Sequence, residues 1–359
     1  MTTRTDHALI DLLDASGLTG RGGAAFSTVT KLRAAQQHGA DLIVNACDGE
    51  LGATKDAWVV SHHLAEVIEG AGLVTAERGR IRYAAHRGSA TAAALRAAGL
   101  DVLEAPARYV SSEESALISL AQGGLARPMT KRAPFVTGGR DASGRAIRPT
   151  LVLNAETTWR VAQIVTHGPE WFRSVGTTAE PGPRLLSVGG AVRSPTLVDT
   201  AAGVSFHDLF AAAGGLEPGI SAILVGGLGG AFLHAGEAAS RRWSAADLDP
   251  LGVPLGPGVV TAIDPTVPLV EHVKRQLNWA AGESAGQCGP CMFGLPALAE
   301  AWTRFAGGDG GARAAIEDRI GLFPGRGACR FPDGIARYAA SALRVLDVTD
   351  TAPRHGVRS

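Results

Sequence analysis

Between Gly17 and Phe26 the sequence reads Gly-Leu-Thr-Gly-Arg-Gly-Gly-Ala-Ala-Phe, so four glycines and two alanines fall within nine residues. Such a stretch leaves little side chain between a ligand and the backbone, and glycine adopts φ > 0 freely. A loop of this kind before a helix points several N–H groups at one spot, which suits a phosphate, and Arg21 and Lys31 add positive charge. The spacing matches neither the dinucleotide fingerprint nor a P-loop, so a glycine-rich surface turn is the alternative interpretation.

Buried strands alternate with helices over the first half of the sequence. Apolar runs predict strands at 42–44, 81–85 and 102–103, and helical spacing predicts helices at 8–13, 28–37, 58–76 and 92–98. The alternation predicts an α/β fold with a parallel sheet and helices on both faces. Asn45 and Asp48 follow the first strand, at the sheet edge where ligands collect in folds of this class.

Two smaller units are predicted after a Pro-Gly linker at 180–183. The first unit is predicted to have strands at 185–190 and 196–199, a helix at 205–213 and a strand at 223–225. This pattern has the size and order of a ubiquitin-like β-grasp fold. Four helices are then predicted, at 268–281, 295–305, 311–322 and 334–346. The sequence therefore predicts three domains, at 1–180, 181–262 and 263–359.

The charge balance argues against two kinds of partner. Lys+Arg and Asp+Glu count 34 each, so the formal net charge is zero, and neither nucleic acid nor an anionic membrane is indicated. No apolar run approaches the length of a membrane span, and the first residues lack the apolar core of a signal peptide. We expect a cytoplasmic protein that does not span a membrane.

The cysteines indicate metal or redox chemistry rather than disulfides. Cys288 and Cys291 form a C-x-x-C pair, Cys329 follows, and Cys47 stands apart near the first strand. In a reducing cytoplasm such a pair favours a metal or redox site. Cys47 is most simply a small buried residue beside a ligand.

Five motifs occur in a fixed order along the chain. They are Gly17-Leu-x-Gly-Arg-Gly-Gly-Ala-x-Phe-x-Thr28, Asn45-Ala-x-x-Gly-Glu-x-Gly52, Glu113-Glu-x-Ala-Leu117, Asn154-x-Glu-Thr157 and Glu283-Ser-x-Gly-Gln-Cys-x-Pro-Cys291. Together they resemble the NADH-binding flavoprotein subunit of respiratory complex I and its relatives in hydrogenases and formate dehydrogenases. The resemblance runs from about residue 17 to about residue 345.

The resemblance implies a Rossmann-like domain for FMN and NAD(H), a β-grasp (soluble-ligand-binding) domain, and a helical bundle that holds a 4Fe–4S cluster. The implied activity is that of an NADH-dependent oxidoreductase, which passes electrons from NADH through FMN to the cluster. A ferredoxin-like or thioredoxin-like iron–sulfur protein would be the next acceptor. The order is chemically sensible, because a flavin accepts two electrons together and releases them singly to a one-electron cluster.

The resemblance also implies a role for individual residues. Glu50 and Glu114 are expected to face the nicotinamide nucleotide as catalytic residues, and Phe26 to stack on adenine. The residues implied for the FMN phosphate and ribityl chain are Gly20, Arg21, Gly22, Gly23 and Lys31. Those implied for the flavin and its surroundings are Asn45, Asp48, Tyr109, Glu113, Glu114, Asn154 and Thr157. The implied cluster ligands are Cys288, Cys291 and Cys329.

Four positions depart from the family pattern. Ala285 stands where the family has its first cluster cysteine, and Ala34 stands where the family has a second aromatic residue against adenine. Cys47 replaces an aspartate, and Ser112 replaces a glycine that packs on the flavin. These departures bear on the cluster type, on NADH affinity and on flavin tuning.

Several alternatives therefore stay open. The cluster is 4Fe–4S, or 3Fe–4S given three cysteines; zinc held by the cysteines with His272 or His355 is a second possibility, and no metal a third. The alternative function is a non-NADH electron-transfer or structural subunit that keeps the fold with a degenerate cluster site.

Overall fold

The computed structural model describes residues 4–141 and 143–351. The elements of the first half are α1 (Arg4–Ser16), α2 (Thr28–His38), β1 (Asp41–Asn45), α3 (Lys55–Val74), β2 (Ile81–His86), α4 (Ala90–Ala97), β3 (Val102–Ala105), α5 (Glu114–Ala121), β4 (Gly139–Arg140), β5 (Ala146–Ile147), β6 (Thr150–Asn154) and α6 (Ala155–Arg173). Those that follow are β7 (Pro183–Gly190), β8 (Thr196–Ala201), β9 (Val204–Ser205), α7 (Phe206–Ala212), β10 (Ala222–Val225), β11 (Ala231–His234), α8 (Ala235–Ala238), β12 (Arg242–Trp243), α9 (Ala245–Leu248), β13 (Val259–Ala262), α10 (Leu269–Glu283), α11 (Leu295–Ala306), α12 (Ala312–Gly321) and α13 (Phe331–Thr351).

The first sheet is parallel and has the strand order β3-β2-β1-β6. Leu42, Ile43 and Val44 of β1 are all buried, as expected for a strand covered on both faces. The α/β class predicted from the sequence is therefore confirmed.

The fourth strand of this sheet, β6, was not predicted, although it carries the apolar run Leu151-Val152-Leu153. It pairs with β1 in a register that sets Asn45 directly beside Asn154. The carboxyl ends of β1 and β6 therefore place two asparagines at the same edge of the sheet.

The second sheet has five strands in the order β11-β10-β13-β7-β8, with β13 parallel to β7 and the other pairs antiparallel. The predicted strand, strand, helix, strand pattern accounts for β7, β8, α7 and β10 but omits β11 and β13. The predicted domain boundaries near residues 180 and 262 fall just before β7, the first strand of this sheet along the chain, and at the end of β13, the last one. The division into three domains stays a prediction.

The C-terminal helices α10, α11, α12 and α13 bury one apolar core. Trp302 is fully buried within it, and its indole Nε1 donates to the Val270 carbonyl at 2.9 Å. Within the described ranges, no helix has the length and apolar character needed to cross a bilayer.

Two glycines of α3 allow a direct test of the packing in the first half. A Cβ at Gly70 would lie 2.1 Å from the Thr158 carbonyl oxygen of α6, whereas a Cβ at Gly72 would meet nothing within 4 Å. We expect Gly70→Ala to destabilise the fold by about 1–3 kcal/mol, because it forces two packed helices apart. Gly72→Ala should instead stabilise it by about 0.5–1 kcal/mol, because alanine is the better helix former. Urea unfolding measures the free energy of unfolding of both variants. Equal changes of the same sign in the two variants would contradict this packing.

Candidate functional site

A cleft of about 910 Å³ lies at the carboxyl edge of the parallel sheet. Its walls come from three parts of the chain: the glycine-rich loop and strand ends, the second sheet at Gly229 and Pro257, and a segment within 325–337 before and at the start of α13. This volume falls within the range of about 300–1,000 Å³ that is common for small-molecule sites. Twelve of the predicted site residues of the first half line it, namely Gly20, Gly22, Phe26, Lys31, Asn45, Asp48, Glu50, Tyr109, Glu113, Glu114, Asn154 and Thr157.

The glycine-rich loop presents unused backbone donors to this cleft. The Arg21 N–H donates to Thr157 Oγ1 at 2.8 Å, which ties the loop to α6. The next four N–H groups, of residues 22–25, make no hydrogen bond within the described part of the chain. Gly23 and Ala25 both have positive φ, of 102° and 47°. Consecutive free N–H groups in a loop of this shape form an anion-binding concavity, so the loop fits a phosphate.

The Arg21 side chain does not take part, which corrects the expectation that its charge faces the anion. Its guanidinium is buried and donates to the Pro181 and Pro183 carbonyls at 3.1 and 3.2 Å. Burial, with the nearby charge of Arg184, lowers the pKa of Arg21 to about 9. Gly23 is not among the residues that line the cleft, and a Cβ there would lie 3.2 Å from the nitrogen of Pro257, which does line it.

Polar side chains at the strand ends are already hydrogen-bonded within the protein. Asn154 Nδ2 donates to Asp56 Oδ2 at 2.7 Å, and its Oδ1 accepts from Lys55 Nζ at 2.6 Å. Asn45 Nδ2 donates to the Ser112 carbonyl at 3.0 Å. Asp48 accepts from the first N–H groups of α3, those of Asp56 and Ala57, at 3.0 and 2.8 Å. These bonds fix the floor of the cleft before any ligand arrives.

The sequence analysis missed the charged residues beneath this floor. Lys55 is fully buried, and its Nζ lies 3.1 Å from Asp56 and 3.2 Å from Glu156. Burial alone would lower the pKa of Lys55, but the two carboxylates outweigh it and raise the pKa. Two signals were present in the sequence: an adjacent Lys-Asp pair three residues after the second motif, and Glu156 within the fourth motif.

Glu50 is the best-connected acid of the cleft. Its Oε1 accepts from the N–H groups of Leu51 and Leu228 at 2.9 and 2.7 Å. Its Oε2 accepts from the Tyr109 hydroxyl at 2.6 Å and from the Gly229 N–H at 3.3 Å. Burial raises the pKa of Glu50, although all four donors favour the charged carboxylate and oppose that rise.

Tyr109 connects this carboxylate to the C-terminal helices. Its N–H donates to Glu283 Oε2 at 2.8 Å, and its ring packs against Phe331 at 5.0 Å and Trp279 at 6.0 Å between centroids. Glu50 therefore contacts the second sheet directly and the helical core through one tyrosine.

Two further predicted acids of the cleft, Glu113 and Glu114, have different partners. Glu113 accepts from the Ser115 and Ala116 N–H groups at 2.8 and 3.2 Å, and so caps α5. Glu114 lies between Lys31 and Lys131, at 3.2 and 3.0 Å. Burial alone would raise the pKa of Glu114, but the two lysines outweigh it and lower the pKa.

Phe26 stands at the rim of the cleft with 51% of its surface exposed. Its ring is therefore free to stack on a planar ligand. Ala34 lies on α2, one turn after Lys31, and packs against the core of the first half. The position that carries a second aromatic ring in the family pattern therefore holds only a methyl group here.

The three predicted cluster cysteines share one neighbourhood. Burial raises the pKa of Cys291 to about 12, and the adjacent Cys288 and Cys329 thiols add to the rise. Cys329 also lines the cleft, whereas Cys47 is buried in a separate core with Ile43. Ala285, Cys288 and Cys329 are partly buried against the same helical core, and the three thiols are close enough to affect one another's ionisation, so they suit the ligand set of an iron–sulfur cluster.

A single zinc ion fits less well. Within the described ranges, no three His, Cys, Asp or Glu side chains are arranged to hold one metal ion. An iron–sulfur cluster does not require the three thiols to converge on one point, because each cysteine binds a different iron. His272 packs edge-on against Phe232 and lines a different cavity, and His355 lies outside the described residues.

The bond from Tyr109 to Glu50 can be tested by titration. Tyr109→Phe removes one of four donors to the carboxylate, so the pKa of Glu50 should rise further. A hydrogen bond to a charged group is worth about 1.5–3 kcal/mol, which corresponds to a rise of about one to two pH units. Infrared titration of the carboxylate stretch, with Glu50→Gln as the blank, measures this shift.

The control for this titration is Tyr83→Phe. Tyr83 lies in β2 and is not among the four donors to Glu50, so its loss should leave the pKa of that carboxyl unchanged. A Glu50 pKa that is unchanged or lower in Tyr109→Phe would contradict the hydrogen bond from Tyr109 to Glu50.

Comparisons with known proteins identify what two parts of the chain are similar to. Residues 13–163 match the family model of the Nuo51 FMN-binding domain, and residues 271–347 match that of the NADH-ubiquinone oxidoreductase-F iron–sulfur binding region. The chain is 29% identical to a NADH-quinone oxidoreductase subunit of Rhizobium meliloti, over 95% of this chain and 87% of that protein. It is 28% identical to the NADP-reducing hydrogenase subunit HndC of Solidesulfovibrio fructosivorans, over 86% of this chain and 68% of that protein.

A solved structure shows the same fold. The crystal structure of an NAD+-reducing NiFe-hydrogenase in the air-oxidized state matches with a TM-score of 0.79 at 28% identity. The match covers 96% of this chain and 62% of that hydrogenase chain, so the present chain spans less than two thirds of it. Both family models fall on the two cofactor regions in the order found here. The chain therefore carries a region similar to the Nuo51 FMN-binding domain, followed by one similar to the NADH-ubiquinone oxidoreductase-F iron–sulfur binding region, and it resembles subunits of NADH-quinone oxidoreductases and of an NADP-reducing hydrogenase.

Proposed function

We propose that this chain is an NADH-dependent oxidoreductase that passes electrons from NADH through FMN to an iron–sulfur cluster, and from there to a ferredoxin-like or thioredoxin-like iron–sulfur protein. The observation that carries the proposal is that one cleft has free backbone donors on one wall and Cys329 on another. A phosphate-bearing cofactor and a metal cluster would therefore sit close together.

The free N–H groups of residues 22–25 would hold the FMN phosphate. Thr157 keeps this loop in place through the Arg21 N–H. Asn45 and Asn154 form the floor, and Lys55 and Asp56 hold Asn154 in a single orientation. Bound FMN would supply the conversion from hydride transfer to single-electron transfer.

The same cleft offers groups for a pyridine nucleotide. Lys31 and Lys131 carry positive charge suited to its phosphates, and Glu114 holds the two ammonium groups together. Phe26 is exposed at the rim for stacking on adenine. Because Ala34 supplies no second ring, NADH would stack on one side only, and its affinity would be correspondingly modest.

The C-terminal helices supply the electron exit. Cys288, Cys291 and Cys329 would hold the cluster, with Cys329 nearest the flavin cleft. Met292 and Phe293, next to the C-x-x-C pair, are 50% and 71% exposed. Large exposed apolar side chains beside a redox centre fit a docking site for the next iron–sulfur protein.

The proposal is tested on protein purified without oxygen. Acid-released cofactor should match FMN on chromatography, and stopped-flow mixing with NADH should bleach the flavin absorbance. Glu50→Gln should slow this bleaching, because its neutral amide replaces a carboxylate held at the cleft. FAD, no flavin, or a flavin that NADH leaves oxidised would overturn the proposal and favour a non-NADH electron-transfer or structural subunit.

The three-cysteine ligand set leads to a second expectation. A cluster on Cys288, Cys291 and Cys329 lacks a thiolate at one corner and should lose iron quickly in air. Ala285→Cys should slow that loss, because it supplies a fourth thiolate beside the other three. Iron content and visible absorbance, followed after exposure to air, measure the difference. Ser284→Cys is the control, since it adds a thiol one residue away. Equal rates of iron loss in the unmodified protein, Ala285→Cys and Ser284→Cys would contradict the assignment of residue 285 to the open corner.

A further inference from the structure

A second cavity, of about 450 Å³, lies where the three parts of the chain meet. Residues at and just after the end of the second motif, strands of the second sheet, and helices α10 and α13 all contribute to its lining. Among the described residues, none lines both this cavity and the flavin cleft. Leu51 and Leu228 separate the two spaces, because their N–H groups bind Glu50 while both residues line this cavity.

The lining of this cavity carries no charged side chain. None of the described residues around it is Asp, Glu, Lys or Arg. His272 is the one group among them that titrates near neutral pH, and burial, with the charge of Arg275, lowers its pKa despite Asp264. The lowered pKa favours the neutral form of its imidazole. A charged ligand would lose its hydration here without gaining an opposite charge, which is costly.

Polar groups on the walls have unused hydrogen-bonding capacity. The Thr261 hydroxyl, the His272 imidazole and the Gln276 amide make no hydrogen bond within the described part of the chain. The Ser187 and Thr54 hydroxyls pair with each other at 3.2 Å, which leaves one O–H free to donate. Such groups offer both donors and acceptors to a neutral polar atom.

The remaining walls are apolar or open. Leu197, Leu224 and Leu228 provide aliphatic surface, and Gly189 leaves a stretch of strand β7 without a side chain. A Cβ added at Gly189 would meet nothing within 4 Å, and its φ is not in the left-handed region. Apolar walls with a few uncharged polar groups are the usual composition of a small-molecule site.

We propose that this cavity binds an uncharged organic molecule with an apolar body and a carbonyl or hydroxyl oxygen. The apolar body would lie along the leucines and the open strand at Gly189. The oxygen would bond to the unpartnered groups at Thr261, His272 and Gln276. The site is separate from the NADH and FMN cleft, so the inference does not depend on the proposed function.

The test uses two near-isosteric probes with the full-length protein and its cofactors. Acetophenone is uncharged and carries a carbonyl oxygen, whereas benzoate has a similar shape and a negative charge. Saturation-transfer NMR should detect acetophenone bound to the protein and should give no signal for benzoate. Saturating NADH should leave the acetophenone signal unchanged. No acetophenone signal, an equal benzoate signal, or displacement by NADH would each overturn the proposal.

Two variants locate the binding. Gly189→Leu should abolish the acetophenone signal, because its side chain fills open space in the cavity. Gly72→Leu is the matched control on α3, where a Cβ also meets nothing within 4 Å, and it should leave the signal intact. Thr261→Val keeps the side-chain shape and removes the hydroxyl, so it should weaken binding even if Gly189→Leu does not fold. Wild-type binding in Thr261→Val, or in folded Gly189→Leu, would contradict the location.

Discussion

The arrangement of this protein depends on how the Glu50 carboxylate is held. Its four donors come from its own loop, from the second sheet at Leu228 and Gly229, and from Tyr109. The contact with the second sheet is close, since a Cβ at Gly227 would lie 2.4 Å from Glu50 Cγ. Tyr109 in turn donates its N–H to Glu283 at the end of α10. One partly buried acid thus links the three parts of the chain at a common cleft.

This arrangement leaves the cleft preformed and polar. Its floor is locked by internal hydrogen bonds at Asn45 and Asn154, with a buried lysine beneath. The groups left for a ligand include the loop N–H groups of residues 22–25, the exposed ring of Phe26 and the ammonium groups of Lys31 and Lys131. A rigid floor with free donors at one side suits a cofactor that must keep one orientation while a second molecule arrives and leaves.

The sequence predicted the parts of this structure that rest on local pattern. The apolar run of β1 and the helical spacing of α2 predicted their elements, and the predicted site residues make up about a third of the cleft lining. The strand β6 was missed because it follows a long irregular segment and has no helix directly before it. The buried position of Arg21 and the donors around Glu50 were not predictable, because both depend on carbonyl and N–H groups distant in sequence. The Lys55 network is likewise a tertiary feature, since a lysine at a helix start is ordinarily exposed.

The most direct measurement is a stepwise titration of the anaerobic protein with NADH, followed by low-temperature electron paramagnetic resonance. Because Cys329 lines the cleft proposed for the flavin, electrons from NADH should reach the metal centre. A reduced-cluster signal should therefore grow in step with the loss of flavin absorbance. Complete bleaching of the flavin with no cluster signal, in protein shown to contain iron, would contradict the account.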